Sequence, residues 1–261
     1  MTVPPLQLSI HLPFSSAGFH LPVYGLCFSL AFLAAIGLAH HRAAGLGLDT
    51  DRLSDLYLVI IVSSLIGART LFVCLEWKRF VAQPLEAIRF WRGGLVFYGG
   101  LIGAFVSSMV YVRKTGLSIP EIADLAAPSL ALGQAIGRLG CFANGCCFGQ
   151  PSTLPWACHA AAFDMTLRHP TQLYESLGLF GILCALLLAA RKRPRHGTLA
   201  AGYAILYAAL RFSIECLRGD DRGGFFAGGL SISQLISVGT LALGLAAGCF
   251  LATRPRDPRE A

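Results

Sequence analysis

Seven apolar windows, at 21–39, 55–76, 95–112, 119–137, 172–190, 199–217 and 229–253, constrain this chain more than any other feature. Each approaches the ~20 residues that a helix needs to cross a bilayer core about 30 Å thick. The window 119–137 is the most polar, because it carries Glu121 and Asp124. Only 13% of the 261 residues are charged, against about 25% in soluble domains, and the mean hydropathy is +0.62. These features predict an all-α polytopic membrane protein. It has seven transmembrane helices in a single membrane-embedded domain covering residues 1–261.

The basic residues set an orientation. The sides holding 40–54, 113–118, 191–198 and the C-terminal tail carry eleven Lys and Arg, and the opposite sides carry eight. An excess of Lys and Arg marks cytoplasmic loops, so the C-terminus is expected in the cytoplasm and the N-terminus outside. The segment 77–94 opposes this bias with Lys78, Arg79, Arg89 and Arg92. It reads as an amphipathic arm lying on the outer surface and interrupted by Pro84. The first twenty residues lack a positive leading region, so the head does not read as a cleavable signal peptide. The net charge of +7 does not imply nucleic acid. Its densest cluster, Arg191-Lys192-Arg193-Pro194-Arg195, sits between apolar runs as a cytoplasmic loop would. The expected surroundings are a lipid bilayer, with no nucleic acid partner.

Polar residues in such a chain are informative because they are expensive to place in lipid. The stretch Gly137–Gly149, GRLGCFANGCCFG, puts Arg138 where an apolar run ends, with four glycines, Asn144, Cys141, Cys146 and Cys147 around it. Glycine lets backbone approach a ligand closely, and a guanidinium is a planar donor fork suited to phosphate. A glycine-rich turn between two helices, with cysteines as small packing groups, is the alternative. Cys27, Cys74, Cys184, Cys216 and Cys249 lie in apolar runs and read as packing residues.

In the sixth window Tyr207, Arg211, Glu215 and Arg218 follow at spacings of four, four and three, so they share one helix face. An arginine near a helix centre costs about 2.5–3.5 kcal/mol on insertion scales. An Arg211–Glu215 ion pair would offset that cost. The added tyrosine and second arginine favour a ligand site. Tyr98 is flanked by paired glycines in GGLVFYGGLIG (93–103), which suits a helix crowded against its neighbours. RHPTQLYES (168–176) opens the fifth window with Pro170 near its first turn and Gln172, Tyr174 and Glu175 close by. His169 reads as an interfacial or capping residue. Glycines four apart (Gly99/Gly103, Gly133/Gly137, Gly244/Gly248) predict close helix crossings.

Taken together, GRLGCFANGCCFG, GGLVFYGGLIG, HPTQLYE, the Tyr207–Arg218 face and GLSISQLIS (229–237) resemble bacterial prolipoprotein diacylglyceryl transferases. VYGLCFSLAF (23–32) and IGARTLF (66–72) extend the likeness, which covers about residues 20–240 in order and spacing. The resemblance implies a seven-helix inner-membrane enzyme that moves the diacylglyceryl group of phosphatidylglycerol onto the lipobox cysteine thiol of a prolipoprotein. Glycerol-1-phosphate leaves, and no metal or cofactor is implied. By the same resemblance Arg138 binds the phospholipid, Tyr207 and Arg211 form an essential pair, and Glu215 and Arg218 continue the signature. Tyr98 joins the catalytic set, and Asn144, Gln172 and Tyr174 join the substrate-binding set. Charge growing on a departing phosphate calls for fixed guanidinium groups, and a positive, dry site favours the reactive thiolate.

Three positions depart from the family's familiar pattern. Tyr98 stands in place of a histidine, Cys141 in place of an asparagine and Cys146 in place of a glutamate. A cysteine-rich metal or redox protein is a rival reading, with Cys141, Cys146, Cys147, Cys158 and His159 as soft ligands. Their spacing matches no recognised zinc pattern. An anion transporter is a second rival, but symmetric halves with broken helices are not evident. An inactive relative of the transferase is a third.

Overall fold

A computed structural model describes residues 7–10, 19–90, 93–159, 166–219 and 230–254. Seven helices of 18 residues or more appear among them, one for each apolar window. They are α1 (Val23–Gly45), α2 (Thr50–Leu75), α4 (Phe97–Thr115), α5 (Ile119–Ala143), α6 (Thr171–Ala190), α7 (Thr198–Glu215) and α8 (Ile232–Thr253), with a short α3 (Trp77–Ala82) after α2. Four of them, α1, α2, α6 and α8, are long and apolar enough to cross a membrane by length and composition. Large apolar side chains point outward along these helices, as with Leu33, Ile66, Leu177 and Leu243, which is how a lipid-facing surface looks.

The structure differs from the sequence reading in three ways. Two short antiparallel pairs add to the helices: β1 (Gln7–Ile10) with β2 (Phe19–Pro22), and β3 (Cys158–His159) with β4 (Leu167–Arg168). Next, α5 runs on to Ala143, so Arg138, Gly140 and Cys141 are helical and the turn begins at Asn144. Finally, α7 stops at Glu215, which leaves Arg218 beyond the helix end.

The backbone gathers into two compact units, His40–Ile122 and Met1–Ala39 with Ala123–Ala261. Within the first, α2 and α4 pack through glycine. A Cβ on Gly67 would overlap the Gly99 carbonyl, and one on Gly103 would sit 2.5 Å from the Ser63 carbonyl oxygen. The hydroxyls of Ser63 and Ser107 meet across the same seam at 2.6 Å. Asp49 caps α2 by accepting from the Asp51 and Arg52 amides at 3.1 Å. The expected arm is α3 followed by a single 3₁₀ turn at Pro84–Ala87, with Pro84 in the first-turn position where its missing N–H costs nothing. Arg69 holds this arm. Its guanidinium donates to the carbonyls of Glu86, Ala87, Gly93 and Gly94 and lies 5.4 Å from the Phe72 and Phe80 ring centres.

In the second unit Ala127, Ala131, Ile182, Leu183, Leu186 and Leu199 form the core shared by α5, α6 and α7. Asp124, which makes the 119–137 window polar, is buried and accepts from the Gly197 and Ala200 amides at 2.8 Å each. A carboxylate thereby serves the orphan donors and positive dipole end of α7. Arg195 donates to the Leu251 and Ala252 carbonyls at the end of α8. Ser231 and Gln234 form a capping box that starts α8. Of the glycine pairs in this unit only one member each makes a close crossing. Gly133 faces Ala35 and Gly244 faces Ala204 and Ile205, whereas Gly137 and Gly248 have no neighbour within 4 Å of an added Cβ.

Candidate active site

The polar residues of the second unit converge where α5 ends, α6 begins and α7 ends. Arg138, on the last turns of α5, places Nη2 3.0 Å from Glu175 Oε1 on α6. The Glu175 side chain is 1% exposed. One charge-bearing helix therefore supplies the counter-ion of another, as an intramembrane charge requires. On α7, Arg211 Nη2 lies 2.7 Å from Glu215 Oε2, one turn away, and also donates to Ser233 Oγ at 2.9 Å. Glu215 Oε1 accepts from Ser231 Oγ at 3.0 Å, and Arg218 Nε stands 3.9 Å from Oε2. Among the described residues, three guanidinium groups thus lie beside two carboxylates.

Tyr207 sits between the two pairs, with Glu175, Arg138 and Arg211 as electrostatic neighbours. Its ring stacks on Tyr203 at 5.6 Å with an interplanar angle of 4°, and the Tyr203 hydroxyl is anchored on Gln134 Oε1 at 2.7 Å. This stack fixes the Tyr207 ring. A cleft of about 120 Å³ opens beside it, lined by Tyr207, Arg211, Ser233, Ser237 and Thr240. Arg211 Nη1 is buried without a hydrogen-bond partner among the described residues. A buried donor left unpaired costs about 1–3 kcal/mol, more when charged, and an anionic ligand would remove that cost.

The turn after α5 is built to return onto the cluster. Gly145 (φ 67) and Cys147 (φ 65) both take left-handed backbone, which an L side chain resists. Gln172 Nε2 donates to the Cys146 carbonyl at 2.6 Å, and Thr171 Oγ1 to the Cys147 carbonyl at 2.8 Å. Gly149 then bridges Arg218, and a Cβ there would lie 2.6 Å from the His169 Cβ. Hydrogen bonds from the Cys141 and then the Cys146 thiol hold the Cys147 thiol below its usual range, and Arg218 acts in the same direction.

The family model for prolipoprotein diacylglyceryl transferase matches residues 12–250. The chain belongs to this family. It is 35% identical over 246 residues to the phosphatidylglycerol–prolipoprotein diacylglyceryl transferase of Nostoc sp. (strain PCC 7120), covering 89% of this chain and 86% of that one. The transferase of the same name from Clostridium tetani is 34% identical over 226 residues, covering 85% and 90%. That from Gloeobacter violaceus is 35% identical over 256 residues, covering 94% and 93%.

Against the family's expected site, the structure brings Arg138, Tyr207, Arg211, Glu215 and Arg218 into one cluster. Asn144 opens the turn, its amide bonded to the Gly140 carbonyl. Gln172 is 3% exposed and its amide group holds the turn. Tyr174 accepts from Trp156 Nε1 at 2.7 Å and stands 3.4 Å from His169 Nδ1. Tyr98 belongs to the other unit, where it is 62% exposed while its flanking glycines press on α2. The glycines, not the tyrosine ring, are what crowd that helix.

Ser231 and Ser233 are polar partners that the residue patterns did not single out, and Glu175, named with Gln172 and Tyr174 at the opening of the fifth window, was not paired there with Arg138. For Glu175 the signal existed, since a carboxylate inside an apolar window demands a cation. The serines gave none, because a serine before or inside a helix is most often a cap.

Proposed function

We propose that this chain transfers the diacylglyceryl group of phosphatidylglycerol to the lipobox cysteine of prolipoproteins. The observation that carries the reading is the pair of carboxylate-held arginines, Arg138 and Arg211, flanking Tyr207 in a chain of the transferase family. The substrate sulfur attacks a glyceryl carbon, and the carbon–oxygen electron pair leaves on the phosphate of glycerol-1-phosphate. Arg138 binds the lipid phosphate. Arg211, with Nη1 available and Nη2 held by Glu215 and Ser233, stabilises the charge that develops on the leaving group. Tyr207 donates its hydroxyl hydrogen bond beside them, and Arg218 adds positive potential that favours the incoming thiolate. Asn144, Gln172 and Tyr174 shape the substrate-facing turn, and Glu215 orients Arg211 as it engages the lipid.

Tyr98 takes the family histidine's place in the motif, and its hydroxyl donates to the substrate phosphate or thiolate. The whole of 1–261 acts as one transferase domain with an amphipathic arm near 77–94. It crosses the bacterial inner membrane seven times, with the N-terminus outside and the C-terminus cytoplasmic, in keeping with the basic-residue count. Complementation of a transferase-depleted bacterium, with lipoprotein lipidation read by gel shift, tests the activity. Restored lipidation is expected, and expression in the membrane without lipidation contradicts the reading.

A further inference from the structure

Cys141, Cys146 and Cys147 bring their sulfur atoms within 4.8 Å of one another. None is joined in a disulfide. Sequence spacing alone gave no zinc pattern, and Cys158 and His159 stay outside the group. The three thiols come from the end of one helix and a turn that folds back on it. The Cys146 amide donates to the Cys141 carbonyl at 3.2 Å. Cys147 accepts a left-handed backbone that its side chain disfavours. The carbonyls of both turn cysteines are clamped by Gln172 and Thr171, each buried at the start of α6. The sulfur positions are thus preorganised by surrounding hydrogen bonds, the arrangement that orients metal ligands in built sites.

We propose that Cys141, Cys146 and Cys147 form a three-thiolate site for a thiophilic monovalent cation, Cu(I). Three sulfurs about 2.3 Å from a central ion stand about 4 Å apart in a trigonal plane, so the present spacing closes on an ion with sub-ångström shifts. Thiolate ligands select Cu(I) and zinc. Structural zinc sites complete a tetrahedron with a fourth protein ligand, and the described residues place no fourth Cys, His, Asp or Glu in this group. Each coordinated thiol releases its proton. The resulting negative charge faces Arg218 and Arg138, both electrostatic neighbours of the cluster. Copper retention and lipidation are read separately, so the site is tested apart from the transferase reading.

The test uses the full chain, purified in detergent under reducing, oxygen-free conditions, titrated with Cu(I) against a chromogenic Cu(I) chelator. One equivalent per chain should be retained, with thiolate-to-copper absorption in the ultraviolet. Cys147→Ser and Cys146→Ser should each weaken retention by about tenfold or more, and Cys184→Ser, on α6, should not. Lipidation by the metal-free variants shows separately that they are folded and reports on the transferase reading. No equivalent retained by the wild-type chain, or retention by both turn variants equal to that of the wild type, overturns the site. Retention of Zn(II) but not Cu(I) overturns the assignment of a monovalent ion.

Discussion

Arg138 and Glu175, on different helices, form an ion pair of 3.0 Å whose carboxylate is 1% exposed. Glu175 Oε1 makes that contact without hydrogen-bond geometry, as does Glu215 Oε2 to Arg211. Both carboxylates therefore act mainly as counter-charges. Removing one partner of a buried pair typically costs about 3–5 kcal/mol. Glu175→Gln should lower the level of folded protein in the membrane and reduce lipidation by about tenfold or more per folded molecule. Normal membrane level with normal lipidation would show that Arg138 needs no counter-ion.

Arg138→Ala should lower the folded level as Glu175→Gln does, because it strands the buried Glu175 carboxylate, and should remove most activity per folded molecule, because the loss of one preorganised donor costs about 10²–10³ in rate. Arg138→Lys should also be impaired, since a point charge does not reproduce a planar fork. Lipidation rates normalised to membrane protein check both.

The helices and the arginines were legible in the sequence, and the reasons are physical. Apolar length announces a long helix directly, so each of the seven windows holds one, and four of them are long and apolar enough to cross a membrane. Arg211 and Glu215 are one turn apart, and helical spacing alone pairs them. The Arg138–Glu175 pair spans 37 positions between two helices, and no local rule pairs residues so far apart. Arg138 also looked like the end of a run because its charge lowers hydropathy, although the helix continues for five more residues. Nor did the spacing of the three cysteines show their convergence, which depends on positive φ at Gly145 and Cys147.

The α2–α4 seam offers a contrast between glycines. Gly67→Ala places a methyl against the Gly99 backbone, whereas Gly137→Ala meets nothing within 4 Å. Gly67→Ala should lower folded protein in the membrane and the midpoint of thermal unfolding. Gly137→Ala should leave the midpoint unchanged or raise it, since alanine stabilises a helix interior by roughly 0.5–1 kcal/mol over glycine. Equal behaviour of the two would contradict the seam.

Tyr98→Phe removes only a hydroxyl from a side chain that is 62% exposed, so stability should not change. Lipidation should fall roughly tenfold, the scale of one charge-assisted hydrogen bond at about 1.5–3 kcal/mol, and Tyr98→His should restore part of it. Wild-type turnover by Tyr98→Phe removes the hydroxyl from the reaction.

The most direct measurement is single-turnover transfer from labelled phosphatidylglycerol to a prolipoprotein by purified wild-type protein and Arg211→Ala, both reconstituted in vesicles. Arg211 is 8% exposed, with Nη1 unpartnered among the described residues. The account predicts label on the lipobox cysteine with the wild type and a rate about 10²–10³ lower with Arg211→Ala, folded and inserted alike. No transfer by the wild-type chain, or equal rates for the two, would contradict it.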